Sequence, residues 1–321
     1  MEIKYNQGLI RRHPEYNREI PIIPMTPELD ALSTDCEHEY THFISRNPPL
    51  TIERDKIIYN EAVKLYDAKG NALLDEKGNE VKGSRKLNVL AGVENETISD
   101  DLAIATEEFE RVELLLPFFS KFALDIENNR GLSMQYGQWI VEEQPHGPIY
   151  SEILVLTGHR TREQNDVLHS YLLRLGWTPP FDSYRKMVAY AAMKEKATLI
   201  NTDELAAKYD AEGAPISARA IRLIGKDEGY HSGNFIRQLR VFHKHDPEGT
   251  LDDIYTVGTN FEMPSQDQMP EKAGKVLKDM KIFRSEVIPE LSIRPVLRGL
   301  GFVPAEMIDE IVRLQPRKKA A

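Results

Sequence analysis

The chain has 321 residues, with 51 acidic against 41 basic side chains and a formal net charge of -10. This charge argues against a nucleic-acid-binding protein, which usually carries a basic surface. No span approaches the roughly 20 consecutive apolar residues of a membrane helix, and the N-terminal segment lacks an apolar signal region, so we expect a cytoplasmic protein without membrane insertion. The single cysteine, Cys36, excludes an internal disulfide and sites built from several cysteines.

Residues 1–98 predict one helix and a small β-meander. Proline punctuates the first 50 residues, and a helix is expected at about Thr34 to Arg46. The sequence Asp-x-Lys-Gly-Asn occurs at 67–71 and again at 75–79, between apolar residues such as Leu65 and Val81. Two turn signatures of this kind between apolar positions are typical of antiparallel strands.

From Ser99 onward the sequence predicts helices. Five are expected in the core, over about 99–127, 133–157, 161–176, 182–209 and 217–245, and shorter helices follow to Leu314. Ser99 and Thr161 are predicted N-caps, and Gly158 and Gly176 are predicted to end their helices. We therefore predict an all-α helical bundle in a single domain, 1–321, with the core at 99–246 and C-terminal helices at 247–321.

Two Glu-x-x-His pairs lie in the second and fifth of these helices, Glu143 with His146 and Glu228 with His231. Residues three apart on a helix share a face, so one carboxylate and one imidazole can bind the same ion. The spacing alone is a weak signal, because other acid and histidine pairs share it. These are Asp35/His38, Glu39/His42 and Asp166/His169.

The helix before each pair carries glutamates, and the two helix pairs recur at nearly one period. Glu113 to Glu195 is 82 positions and Glu143 to Glu228 is 85 positions. Glu195 lies on an apolar face, where an unpaired carboxylate is costly. One glutamate from each of two helices and Glu-x-x-His from each of two others is the ligand pattern of ferritin-like di-iron bundles. Four glutamates also neutralise the charge of two ferrous ions.

At these residues the chain resembles the soluble acyl-carrier-protein desaturases of plants and bacteria. The family's Glu-Glu-Asn-Arg-His is similar to Glu-Glu-Gln-Pro-His at 142–146, its Asp-Glu-x-x-His to 227–231, and its Gln-Glu-Arg-Ala-Thr to Lys-Glu-Lys-Ala-Thr at 194–198. Its first core helix has a ligand glutamate twelve positions after an Asp-Asp start and four before a proline. Asp101, Glu113 and Pro117 match it. This match selects Glu113 over Glu107, Glu108 and Glu110, and the similarity covers about 99–264.

The resemblance implies a ferritin-like homodimeric enzyme that inserts a cis double bond into an acyl chain. The acyl chain is a thioester on acyl carrier protein, the cofactor is two Fe²⁺ per subunit, and O₂ is the oxidant. The implied ligands are Glu113, Glu143, His146, Glu195, Glu228 and His231, with Glu143 and Glu228 as bridges. Around them, Thr198 is expected to face the oxygen pocket, Asp227 to orient His146, and Glu142 to lie in the same outer layer.

The implied partners lie outside the chain. The sequence has no glycine-rich nucleotide-binding motif, so a ferredoxin-type protein is the expected electron donor. Acyl carrier proteins are usually acidic, so docking calls for a local basic patch. Its possible contributors are Arg185, Lys186, Lys194 and Lys196.

Three departures from the family pattern leave the reaction open. Pro145 replaces an arginine and Pro148 follows it, which predicts a kink or bulge beside the ligands. Tyr230 replaces a basic residue, and the tryptophan that the family has near the position of Leu50 is missing. A related di-iron oxygenase, which hydroxylates a C–H bond or oxidises an amine, is therefore an alternative.

A distant alternative is a zinc peptidase. His38-Glu39-Tyr40-Thr41-His42 matches His-Glu-x-x-His, and Glu61 is a possible third ligand. The surrounding helix is polar, which favours an exposed surface helix instead.

Overall fold

The computed structural model describes residues 27–44, 50–53, 56–124, 130–178, 181, 183–264, 266–283 and 293–301. Its helices are α1 (Pro27–Ile44), α2 (Asp100–Glu113), α3 (Leu116–Leu124), α4 (Arg130–Glu143), α5 (His146–Leu156), α6 (Arg162–Leu175), α7 (Tyr184–Ala211), α8 (Pro215–His245), α9 (Pro247–Thr259), α10 (Glu271–Met280) and α11 (Arg294–Gly299). Within this part of the chain, no helix combines the length and apolar content needed to cross a membrane.

The N-terminal region forms an antiparallel sheet, as predicted. Its strands β1 (Leu50–Glu53), β2 (Lys56–Lys64) and β3 (Lys82–Asn88) lie in the order β1-β2-β3. The two predicted turns lie between β2 and β3, where Asp67 Oδ1 accepts hydrogen bonds from the backbone N–H groups of Lys69 at 2.8 Å and Asn71 at 2.9 Å. Asp75 repeats this arrangement eight residues later. Gly70 has a φ of 83°, a left-handed conformation that favours glycine.

The helix starts also follow from local sequence. Ser99 Oγ accepts a hydrogen bond from Leu102 N at the start of α2, and Thr161 forms a full capping box with Gln164 at the start of α6. The fourth and fifth predicted core helices correspond to α7 and α8. The first predicted helix begins earlier than expected, at Pro27, and residues 45 and 46 lie outside the described residues.

Two of the predicted core helices are each divided into two shorter helices. The predicted helix from Ser99 breaks after Glu113 into α2 and α3, and the next one breaks after Glu143 into α4 and α5. A proline inside a helix lacks its N–H and clashes with the carbonyl four residues before it. Each break places a proline, Pro117 in α3 and Pro148 in α5, within the first helical turn, where the missing N–H is not needed. The kink predicted beside the histidine is therefore confirmed.

Among the described residues, the core consists of two apolar clusters at different heights along the bundle. One contains Trp139 of α4, Tyr190 of α7 and Phe235 of α8. The other contains Phe109 of α2, Ile149 of α5 and Ile221 of α8. The long helices α7 and α8 pack against each other and pass through both clusters. Between the clusters each core helix carries buried polar residues, so the candidate site lies midway along the bundle.

Candidate metal centre

The structure brings together all six predicted ligand residues. Glu113 ends α2, Glu143 ends α4, His146 begins α5, Glu195 lies in α7, and α8 carries Glu228 and His231. All six side chains are buried, and the exposed fraction of the most exposed, Glu113, is 6 %.

The six residues form two overlapping groups of possible metal ligands. Glu113, Glu143, His146 and Glu228 form one group, and Glu143, Glu195, Glu228 and His231 form the other. In each group, one donor atom per residue lies within 4.8 Å of the others. Glu143 and Glu228 belong to both groups, as expected for carboxylates that bridge two ions.

In the first group, the His146 imidazole presents Nδ1 to the carboxylates. His146 Nδ1 lies 3.1 Å from Glu143 Oε2, 3.2 Å from Glu228 Oε1 and 3.9 Å from Glu113 Oε2. The second group repeats this pattern. His231 Nδ1 lies 2.8 Å from Glu143 Oε1 and 3.9 Å from Glu228 Oε2.

Two further buried carboxylates contact the outer nitrogens of the histidines, and they do so in a crossed manner. Asp227 Oδ2, beside Glu228 in the sequence, lies 3.6 Å from His146 Nε2. Glu142 Oε2, beside Glu143, lies 3.1 Å from His231 Nε2. Each Glu-x-x-His segment thus supplies the outer carboxylate for the other segment's histidine. A carboxylate at this position fixes the orientation and tautomer of a metal-binding imidazole.

Without metal, the close carboxylates shift the protonation of the cluster. Burial alone would lower the pKa of His146, but the Glu143 and Asp227 carboxylates raise it well above its usual value. Burial raises the pKa of Glu113 to about 8, although Lys194 acts against this. Protons therefore occupy the metal-free cluster, and metal binding would release them.

The donor set fits a pair of divalent transition-metal ions. Imidazole nitrogen and carboxylate oxygen are suitable iron ligands, and four carboxylates neutralise the charge of two divalent ions. Glu113 Oε1 is buried and forms no hydrogen bond with the described residues, so it has a free lone pair in the cluster. A buried polar atom without a partner is costly, and a metal ion would remove that cost.

The break between α4 and α5 fits close packing at the site. Pro145 lies in the two-residue turn between Glu143 and His146, with φ of -78° and ψ of -14°. Next to the histidine, an added Cβ on Gly147 would lie 3.5 Å from Glu113 Cβ. This is an ordinary van der Waals distance, so α5 packs against the end of α2 at Gly147.

The remaining predicted site residue, Thr198, is buried in α7, one turn after Glu195. Its hydroxyl donates a hydrogen bond to the carbonyl of Lys194 at 3.0 Å. That Thr198 faces the oxygen pocket stays a prediction.

Lys194 is a site residue that the sequence reasoning missed. Its side chain is buried, and its Nζ lies 3.3 Å from Glu195 Oε2. It was expected to contribute to a basic docking patch, and its burial makes that expectation wrong. The available signal was helical spacing, since Lys194 lies three residues after Ala191 and four before Thr198 on the buried face.

The other acids of α2 lie outside the cluster. Glu107 forms ion pairs with Arg111 and Arg160, and Glu110 Oε1 lies 3.2 Å from His169 Nε2. The selection of Glu113 among the four glutamates of this helix thus agrees with the geometry.

The zinc-peptidase alternative gains no support. Glu39 Oε2 lies 3.4 Å from Arg237 Nε, and Glu61 forms an ion pair with Arg85 in the sheet. His38 is exposed, and the side chain of His42 lies outside the described residues. No candidate metal group was found at this helix among the described residues.

A comparison with protein families gives a match to the fatty acid desaturase family over residues 123–287, just over half of the chain. The chain belongs to the fatty acid desaturase family. The matched range includes five of the six predicted ligand residues and leaves out Glu113. The predicted family resemblance is confirmed.

The fold has a counterpart among solved structures. The X-ray structure of DesA2 from Mycobacterium tuberculosis H37Rv, whose name describes an acyl-ACP desaturase, matches with a TM-score of 0.58 and 16 % identity. The alignment covers 89 % of this chain and 100 % of that one. At this identity the likeness shows the fold, and the predicted ferritin-like class is confirmed. No curated protein sequence matches the chain significantly.

Proposed function

We propose that this protein is an O₂-dependent di-iron desaturase that introduces a double bond into an acyl chain carried as a thioester on acyl carrier protein. The observation that carries the proposal is the pair of overlapping ligand groups, which share Glu143 and Glu228. Membership of the fatty acid desaturase family supports the reaction type.

Six side chains would hold the two ions. Glu113 and His146 would serve one ion, Glu195 and His231 the other, and the shared carboxylates would bridge them. Bound iron would supply oxygen activation and electron transfer at the centre.

The surrounding residues prepare this site. With metal bound, Glu142 at 3.1 Å and Asp227 at 3.6 Å would favour a proton on the Nε2 atoms of His231 and His146, which would leave each Nδ1 lone pair directed toward the cluster. The apolar clusters on both sides exclude water, which strengthens electrostatic interactions within the site.

The reaction requires partners that this chain does not supply. Desaturation consumes two electrons beyond those of the C–H bonds, and we propose that a ferredoxin-type protein provides them. We also propose a homodimer, which sedimentation of the purified protein would test. The domain limits at 98 and 246 stay predictions, although α2 begins at Asp100 and α9 at Pro247.

A product assay tests the reaction. Iron-loaded, reduced protein is mixed with O₂ and acyl-carrier-protein thioesters, and the products are analysed by mass. Desaturation removes two hydrogen atoms from the acyl chain. The control protein is Glu143→Ala with Glu228→Ala, which should give no product.

The same assay separates the alternatives. Gain of one oxygen atom would replace the desaturase by a hydroxylase. Unchanged thioesters, from protein that binds two irons and accepts electrons, would contradict the acyl thioester as substrate.

A further inference from the structure

The two halves of the candidate centre, one with Glu113 and His146 and the other with Glu195 and His231, differ at the residue that precedes Glu113 or Glu195. Glu113 and Glu195 are 82 positions apart, and the same offset relates Val112 to Lys194. Val112 and Lys194 are both buried. One half therefore has an apolar neighbour where the other has a buried ammonium group.

The ammonium group of Lys194 is held close to Glu195. Its Nζ lies 3.4 Å from Oε1 and 3.3 Å from Oε2 of that carboxylate, and 5.8 Å from the ring centre of Phe119. This ion pair places a positive charge inside the site.

This charge affects metal binding unequally. An ion that binds Glu195 must replace the ammonium group at that carboxylate, or bind beside it against charge repulsion. Lys194 also acts electrostatically on Glu113, but it forms its ion pair with Glu195. At the Glu113 half, Val112 imposes no such competition.

We propose that Lys194 makes the two halves of the centre unequal, so that the ion at the Glu195 and His231 half binds more weakly than the ion at the Glu113 and His146 half. Lys194 is a positioning residue in this proposal, since it acts through Glu195. The proposal rests on the proposed di-iron function.

Anaerobic calorimetric titration of the metal-free protein with Fe²⁺ tests this inequality. Wild-type protein should bind two ions in two steps, with dissociation constants at least ~10-fold apart, because a charge pair at this distance is worth more than a tenfold change in affinity. Lys194→Met should strengthen the weaker step and bring the two constants within ~3-fold. Lys194→Gln, a neutral and polar replacement, should act in the same direction. It serves as the test variant if the methionine variant folds poorly.

The matched control is Lys196→Met, which removes a lysine on the other side of Glu195. Lys196 is only half-buried, and this variant should leave both steps unchanged. In a Glu113→Ala background, Lys194→Met should strengthen the single remaining step, which assigns the effect to the Glu195 half.

The outcomes separate this inference from the proposed function. Two equal constants in the wild-type protein would overturn the inequality, and an unchanged ratio in both Lys194 variants would overturn the role of Lys194. Either result leaves the di-iron function intact. Absence of iron binding would overturn the di-iron function, and the inequality with it.

Discussion

The two halves of the centre present nearly the same donor atoms on different backbones. In the first half, Glu113 is the last residue of α2, and a turn separates Glu143 from His146. In the second half, Glu195 and the Glu228 and His231 pair lie inside the continuous helices α7 and α8. The comparison shows that side-chain donors can be placed equivalently by a broken and by an unbroken helix.

The largest expected effect comes from the residues that both halves share. Glu143→Ala with Glu228→Ala should reduce bound iron from about two per chain to almost none, because each group loses two of its four ligands. Metal analysis of the purified protein measures this. Retention of both ions would contradict the shared-ligand arrangement.

The backbone difference predicts unequal responses to proline. Tyr230, 85 positions after Pro145, lies inside α8, so Tyr230→Pro should cost about 3 kcal/mol or more of the free energy of unfolding. The reciprocal change, Pro145→Ala, should cost only ~0.5 to 1 kcal/mol, because the turn already fits proline. Thermal unfolding of both variants checks the contrast. A strongly stabilised Pro145→Ala protein would mean that α4 and α5 join.

The crossed outer carboxylates predict that a change in one segment weakens the other half. Asp227→Asn should weaken the ion at His146, and Glu142→Gln the ion at His231, each by about 10- to 100-fold. Iron titrations of the two variants measure the affected step. If both substitutions weaken the same binding step, the two outer carboxylates do not act on separate ions, and the prediction is wrong.

A smaller effect should distinguish the two glutamate-bearing helices. Helix α2 buries Glu108, whereas the residue 82 positions later in α7 is Tyr190. Burial raises the pKa of Glu108 to about 7, against a weaker opposing effect of Arg111. The folded state therefore binds this proton more tightly than the unfolded state does. The resulting contribution to stability is fully present below pH 4.5 and is lost as the pH rises through 7.

Glu108→Gln should therefore stabilise the protein at pH 8 by about 1 to 2 kcal/mol more than at pH 5. Urea unfolding at the two pH values measures the difference. Glu204→Gln, at an exposed position of α7, is the control, and its effect should be similar at the two pH values. A gain of equal size at both pH values would exclude ionisation as its cause.

Local sequence predicted much of the fold. Ser99 and Thr161 cap the expected helices, and the repeated turns at Asp67 and Asp75 form within the small sheet. These features depend on residues a few positions apart, so the sequence contains their causes. The helix breaks were only partly predicted. Pro145 indicated one, but the break after Glu113, before Pro117, was not expected.

Residue spacing alone indicated which donors could meet. Spacing of three residues puts Glu228 and His231 on one face, and the recurrence near 82 to 85 positions pairs Glu113 with Glu195. The packing of the helices sets which neighbours surround those donors. The crossing of Asp227 and Glu142 depends on how separate helices pack, because packing brings together residues that no short-range pattern relates.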